Sequence, residues 1–249
     1  MNPPLALAPD AVHLWFVRLP ATDDPLLLSR YAALLSPEEE ERRARFAFEH
    51  LRHTFLVTRV LVRSILSRYA PGVPPEAWTF SANAYGRPAI ASPDPGLPLR
   101  FNLSHTDGLV LLGVTLDRDL GVDVEHTGRP GQTVELAADV FSPVENAELL
   151  ALPASAHRRR FFELWTLKEA YIKARGLGLA LPLDGFSYAF RESHAPSIAF
   201  SPAVPDAPEE WQFGQRDLTG AHLAAFAVRR GFSPDLVPSW HELSPDLLG

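Results

Sequence analysis

The chain has no cysteine and a single methionine, and all but two of its 23 basic residues are arginine. Without cysteine there is no disulfide framework, no thiolate nucleophile and no Cys-rich zinc site. No apolar run approaches a membrane span, and the start MNPPLALAPD lacks the basic residues of a signal peptide, so a cytoplasmic protein is expected. There is no Gly-rich phosphate loop and no dinucleotide fingerprint. Ser104 stands beside His105 without the oxyanion-loop signature of a hydrolase. A net charge of −7 argues against general affinity for nucleic acid or membrane.

What is present is an ordinary globular composition, 46% hydrophobic and 21% charged over 249 residues, enough for one large domain or two small ones. Both lysines, Lys168 and Lys173, fall in one stretch, FFELWTLKEAYIKARG, which reads as an amphipathic helix over residues 161–176. Lysine is a compact point charge whose pKa shifts on burial, while arginine is a permanently charged planar fork. Trp165, Glu169 and Lys173 recur at i, i+4 and so share one face of that helix.

The order of elements repeats. Val12–Val17 reads as a strand, and Ser36-Pro37-Glu38-Glu39 then opens a helical region reaching to about Tyr69, with a possible break at Phe46–His50. Strands are expected at Trp78–Phe80, Arg100–His105, Leu109–Leu116 and Leu120–Glu125. Ser142-Pro143-Val144-Glu145 is a second helix start of the same kind. The basic run Arg158–Arg160 leads into the lysine helix, and strands at Phe186–Phe190 and Leu223–Val228 close this half. The reading is an α+β pseudo-duplicate with halves 1–117 and 118–249.

Asp123 and Glu125, two apart on a strand, project to one face while Val122 and Val124 take the other. Such a pair is tolerable in open solvent or around a cation. With Glu169 it makes an oxygen-only set suited to Mg²⁺. His105 fits a phosphate contact better than a magnesium ligand. Asn102–Asp107 also reads as a turn with side chains bonded to backbone.

Taken in order, Gly86-Arg87-Pro88, Phe101-Asn102-Leu103-Ser104-His105, Gly121-Val122-Asp123-Val124-Glu125 and Trp165-Thr166-Leu167-Lys168-Glu169-Ala170-Tyr171-Ile172-Lys173 resemble the motifs of 4′-phosphopantetheinyl transferases, specifically the long, monomeric type that activates peptide and polyketide synthases. The resemblance implies a pseudo-dimer of two α+β halves with the site in the cleft between them. It implies transfer of the phosphopantetheine arm of coenzyme A to a serine of an apo acyl or peptidyl carrier protein, releasing adenosine 3′,5′-bisphosphate. Asp123, Glu125 and Glu169 would hold Mg²⁺. Asp123, Lys168 and Glu169 would form the catalytic group, with Lys168 close to the reacting phosphorus. Glu169 is the first choice of base, with Lys168 or a metal-bound water as alternatives. Arg52, His53, Arg87, Ser104, His105 and Lys173 would bind coenzyme A. Some relatives carry a lysine where this chain has Glu39, a role Arg42 would partly take. Arg158–Arg160 and the arginines of the first long helix are expected to dock the acidic carrier. The alternatives are a non-catalytic coenzyme A or carrier-binding protein on the same fold, and another Mg²⁺-dependent enzyme acting on a nucleotide diphosphate.

Overall fold

The computed structural model describes residues 3–19, 24–131, 134–190 and 195–248. The chain forms β1 (Ala11–Arg18), α1 (Pro25–Ala32), α2 (Pro37–Ala44), α3 (Glu49–Tyr69), β2 (Thr79–Ala82), β3 (Pro88–Ser92), β4 (Leu99–Thr106) and β5 (Leu109–Leu116). It continues with β6 (Leu120–His126), α4 (Ala137–Val140), α5 (Pro143–Ala151), α6 (Ala154–Arg175), β7 (Phe186–Ala189), β8 (Ser197–Phe200), β9 (Trp211–Asp217), β10 (His222–Arg229) and β11 (Val237–Glu242). The expected α+β class holds, and the break between α2 and α3, at residues 45–48, overlaps the expected Phe46–His50 segment.

Two compact units result. The first comprises Met1–Asn83, Pro88–Asp117 and Val237–Gly249; the second comprises Ala84–Arg87 and Arg118–Leu236. The boundary after Asp117 coincides with the one read from the sequence, but the last residues belong with the first unit and not the second. The reason is strand pairing. β11 lies parallel to β1, with Ala11 opposite Val237 and Phe16 opposite Glu242, and completes a sheet of order β11-β1-β5-β4. Pro238 is tolerated there because an edge strand can spare one N–H.

In the first unit β5 is apolar but for Thr115 and sits between β1 and β4, as befits a strand buried on both faces. Leu56, Val60, Leu61 and Ile65 of α3 bury against this sheet's core, together with Leu243 and Leu248 from the chain's end. Ser36 caps α2 in a reciprocal box with Glu39. The Glu39 carboxylate is also held by Arg63, which is 1% exposed, at 2.6 Å. Glu39 is thus an anchor of the fold, and Arg42 lies over the Phe55 ring.

The second unit repeats the plan. Ser142 and Glu145 form the same capping box at α5, and the long α6 packs on a sheet of order β6-β10-β9. α6 begins at Ala154, so the basic run Arg158–Arg160 lies within the helix and not ahead of it. Its end is fixed by Gly176 at φ 65°, a left-handed conformation that glycine adopts without a Cβ penalty.

Candidate active site

In the second unit, the face of β6 that carries Asp123 and Glu125 is turned onto α6. Gly121, on that same face, is what lets the helix come close. A Cβ at this position would lie far inside contact distance of the Ala170 carbonyl oxygen and the Ala174 nitrogen, and 3.0 Å from the Lys173 carbonyl carbon. Val122 and Val124, on the opposite face, are buried. Across the sheet, Asp123 is paired with Ala225 and Glu125 with Leu223.

The i, i+4 run of α6 lies along this acidic strand. Trp165 Nε1 donates to Glu125 Oε1 at 3.0 Å, and Lys173 Nζ donates to Asp123 Oδ1 at 2.6 Å. Glu169 lies between them in the helical stripe. Its carboxyl pKa is raised, first by burial and then by the charges of Asp123 and Glu125, while Lys173 opposes the shift. The Glu125 pKa is raised in the same way, by burial and by Asp123, against the pull of Arg129, Trp165 and Lys173. Three carboxylates and one ammonium from two distant segments therefore feel one another directly. Among the described residues no group of three or more His, Asp or Glu side chains is closed around a single point as for a bound ion.

Lys168 is not part of this group. It is fully buried, paired with the equally buried Glu145 at 2.8 Å, and donates to the carbonyls of Leu183 and Phe186, each at 2.7 Å. These are acceptors for all three of its N–H groups. The other oxygen of Glu145 accepts from Tyr188 N, so one buried ion pair joins α5, α6 and β7. Burial lowers the Lys168 pKa, and Glu145 opposes that. Lys168, expected beside a reacting phosphorus, is engaged here in a clamp inside the unit. Lys168→Ala is expected to cost about 3–5 kcal/mol in denaturant unfolding, because Glu145 is left buried without its partner. A Lys168→Met/Glu145→Gln double variant should recover part of the loss. Unchanged unfolding of Lys168→Ala together with lost activity would restore the catalytic assignment.

Arg87 belongs to the second unit, where Nη1 donates to the Ala174 carbonyl at 2.7 Å and lies 3.2 Å from Asp119 Oδ1. It therefore meets the last turn of α6, one residue beyond Lys173. Arg158–Arg160, expected to dock a partner, are engaged within the unit. Arg158 holds the Thr127 carbonyl at 2.7 Å, Arg159 pairs with Glu163 and Asp217, and Arg160 lies over the Phe190 ring.

In the first unit a cavity of about 780 Å³ is lined by His50, His53, Thr54, His105 and Thr106 among others. The expected coenzyme A contacts His53 and His105 thus share one cavity. Arg52 does not line it, since Nε donates to the Phe46 carbonyl and Nη1 to Glu49 at the start of α3. Ser104 is buried on β4. His50 and Thr54 were not anticipated, although their i, i+3 and i+4 relation to His53 and His50 on α3 put them on one face. Arg129, which approaches Glu125 Oε1 at 3.5 Å, had no sequence signal beyond its i+4 position, and that spacing is meaningless outside a helix.

The chain is similar to known proteins over most of its length. A family model described as the 4′-phosphopantetheinyl transferase superfamily matches residues 119–227. A second, for the 4′-phosphopantetheinyl transferase N-terminal region, matches residues 23–116. The chain belongs to the 4′-phosphopantetheinyl transferase superfamily, a family of enzymes. Within it, the chain is 36% identical over 210 residues to 4′-phosphopantetheinyl transferase HetI of Nostoc sp. (strain PCC 7120), covering 82% of this chain and 87% of that protein. It is 33% identical over 217 residues to 4′-phosphopantetheinyl transferase Sfp of Bacillus subtilis (strain 168), covering 86% and 92%. A phosphopantetheinyl transferase of Thraustochytrium sp. is 32% identical over 232 residues, covering 88% and 79%.

Proposed function

We propose that this protein transfers the 4′-phosphopantetheine arm of coenzyme A to a serine of an apo acyl or peptidyl carrier protein, leaving adenosine 3′,5′-bisphosphate. The observation that carries this reading is the convergence of Asp123, Glu125, Glu169 and Lys173 along β6 and α6, in a chain similar to named transferases over most of its length.

The donor set fits Mg²⁺. It is made only of carboxylate oxygens, and burial and mutual repulsion hold the Glu125 and Glu169 pKa values up, a cost that a divalent cation relieves. Asp123, Glu125 and Glu169 would hold the ion, and when bound it supplies charge neutralisation at the diphosphate. The rest falls to the chain's own groups. Lys173 offers an ammonium to phosphate oxygens as charge builds on them. Glu169, whose carboxyl pKa is raised by burial and by the charge of Asp123, is assigned to take the proton of the carrier serine. As the serine oxygen–phosphorus bond forms, the bond to the adenosine bisphosphate breaks, and positioning does most of the work. His53 and His105 in the first unit's cavity, with Ser104 and Arg87, are assigned to the phosphates of coenzyme A, 3′-phosphate included. Lys168 and Arg52 have other partners and are assigned to the fold. No helix among the described residues is long and apolar enough to cross a membrane. We place the enzyme in the cytoplasm as a monomer that acts on neither nucleic acid nor membrane.

The test is to incubate the protein with coenzyme A, Mg²⁺ and an apo carrier and to weigh the carrier. A gain of one phosphopantetheine mass supports the proposal. An unmodified carrier with coenzyme A still bound identifies a binding protein, and coenzyme A breakdown without carrier modification identifies a different enzyme.

A further inference from the structure

Two side chains reach Oε1 of Glu125 from different elements. Trp165 Nε1, on α6, donates to Oε1 at 3.0 Å, and Arg129 Nη2, on the loop after β6, stands 3.5 Å from that oxygen. The loop that presents Arg129 is itself built into the unit. Thr127 N donates to the Ala221 carbonyl at 2.8 Å, and Arg129 N donates to the His126 carbonyl at 3.0 Å. Arg158 reaches from α6 to the carbonyls of Thr127 and Arg129. The guanidinium groups of Arg129 and Arg158 both lie over the Phe162 ring, at 5.5 and 5.3 Å. This network gives Arg158 a different task from docking a partner: it fixes the segment from which Arg129 reaches the acidic strand.

We propose that Arg129 and Trp165 are positioning residues that hold Oε1 of Glu125, restricting the carboxylate's torsions before any ion arrives. The proposal rests on the reading of Asp123, Glu125 and Glu169 as metal ligands. A glutamate with three free torsions loses side-chain entropy when it binds an ion. A glutamate already held by such partners has lost part of that freedom on folding, and groups that orient a ligating carboxylate strengthen the site in this way. A neutral indole and a cation also play different parts. The indole fixes direction without altering the site's charge, while the guanidinium offsets part of the repulsion from Asp123.

The clamp is tested with Mn²⁺ as the probe. Wild type, Arg129→Gln, Arg129→Lys and Trp165→Phe are titrated with Mn²⁺ in the presence of coenzyme A, and free Mn²⁺ is followed by electron paramagnetic resonance. Coenzyme A binding without metal and the melting temperature are measured alongside. The Mn²⁺ dissociation constant is expected to rise about tenfold in Arg129→Gln and in Trp165→Phe, the lower end of what loss of an outer-shell partner costs. Arg129→Lys should recover part of it, and metal-free coenzyme A binding should be unchanged. In turnover the Mg²⁺ concentration for half-activation should rise more than kcat falls. Arg129 is 44% exposed, so its variants should fold even if Trp165→Phe does not. Wild-type Mn²⁺ affinity in Arg129→Gln and in any folded Trp165→Phe overturns the clamp and leaves the metal reading standing. A wild type that binds no Mn²⁺ overturns both.

Discussion

Gly121→Ala is expected to slow transfer by on the order of 10²-fold and to destabilise the second unit by about 3 kcal/mol or more, the upper end of the range for overpacking. The added methyl group would meet the Ala170 carbonyl oxygen, the Lys173 carbonyl carbon and the Ala174 nitrogen, all backbone of α6. A side chain can rotate out of the way, but a helix backbone can only retreat as a body. A retreat of roughly 1 Å would carry Glu169 and Lys173 away from Asp123 and Glu125, and a misplacement on that scale costs on the order of 10²-fold in rate. Gly72→Ala is the control, because a Cβ there meets nothing within 4 Å. Denaturant unfolding and the carrier mass assay report the two effects separately. A Gly121→Ala protein with wild-type stability and rate would mean that β6 and α6 do not pack as closely as they do here.

The same glycine shows where the sequence was legible and where it was not. The motif around Asp123 and Glu125 could be read as a strand with two carboxylates on one face, because a period of two leaves no choice. The Trp165, Glu169 and Lys173 stripe was equally readable from i, i+4 spacing. That the two faces would meet was not contained in either pattern, and Gly121 looked like any strand-edge glycine until a helix backbone was seen against it. The two lysines were ambiguous for a related reason. The resemblance sets both near the phosphates of coenzyme A, yet residues five apart on a helix point about 140° from each other. Lys168 had to face elsewhere, and which partner it met depended on Glu145, a residue of the preceding helix. Strand β11 was missed because its pairing with β1 joins opposite ends of the chain, and Pro238 hides an edge strand from any local reading. Arg158–Arg160 looked like a docking surface because charge was visible, and the carbonyls, carboxylates and rings that absorb it were not.

Glu169→Gln and Asp123→Ala are each expected to reduce transfer by on the order of 10³-fold, since several kcal/mol of charge stabilisation at the diphosphate is lost. The two should differ in stability, because Glu169 is buried among like charges while Asp123 is paired with Lys173. The Glu169 pKa is raised on folding, chiefly by burial and by the charge of Asp123. The folded chain therefore holds this proton more tightly than the unfolded chain. Stability without ligand is then lost as pH rises from the ordinary carboxylate range through the raised value, and the loss persists at neutral pH. Glutamine keeps the shape and carries no charge, so Glu169→Gln should melt at the same temperature as wild type or higher at pH 7, with a flatter pH dependence above about pH 4.5. Asp123→Ala instead removes the 2.6 Å ion pair with Lys173 and should melt lower. Thermal melts from pH 4 to 8 without Mg²⁺, set beside carrier modification with it, check both. If Glu169→Gln melted well below wild type, or still modified the carrier at the wild-type rate, the carboxylate would be part of the scaffold and the assignment of the base would fail.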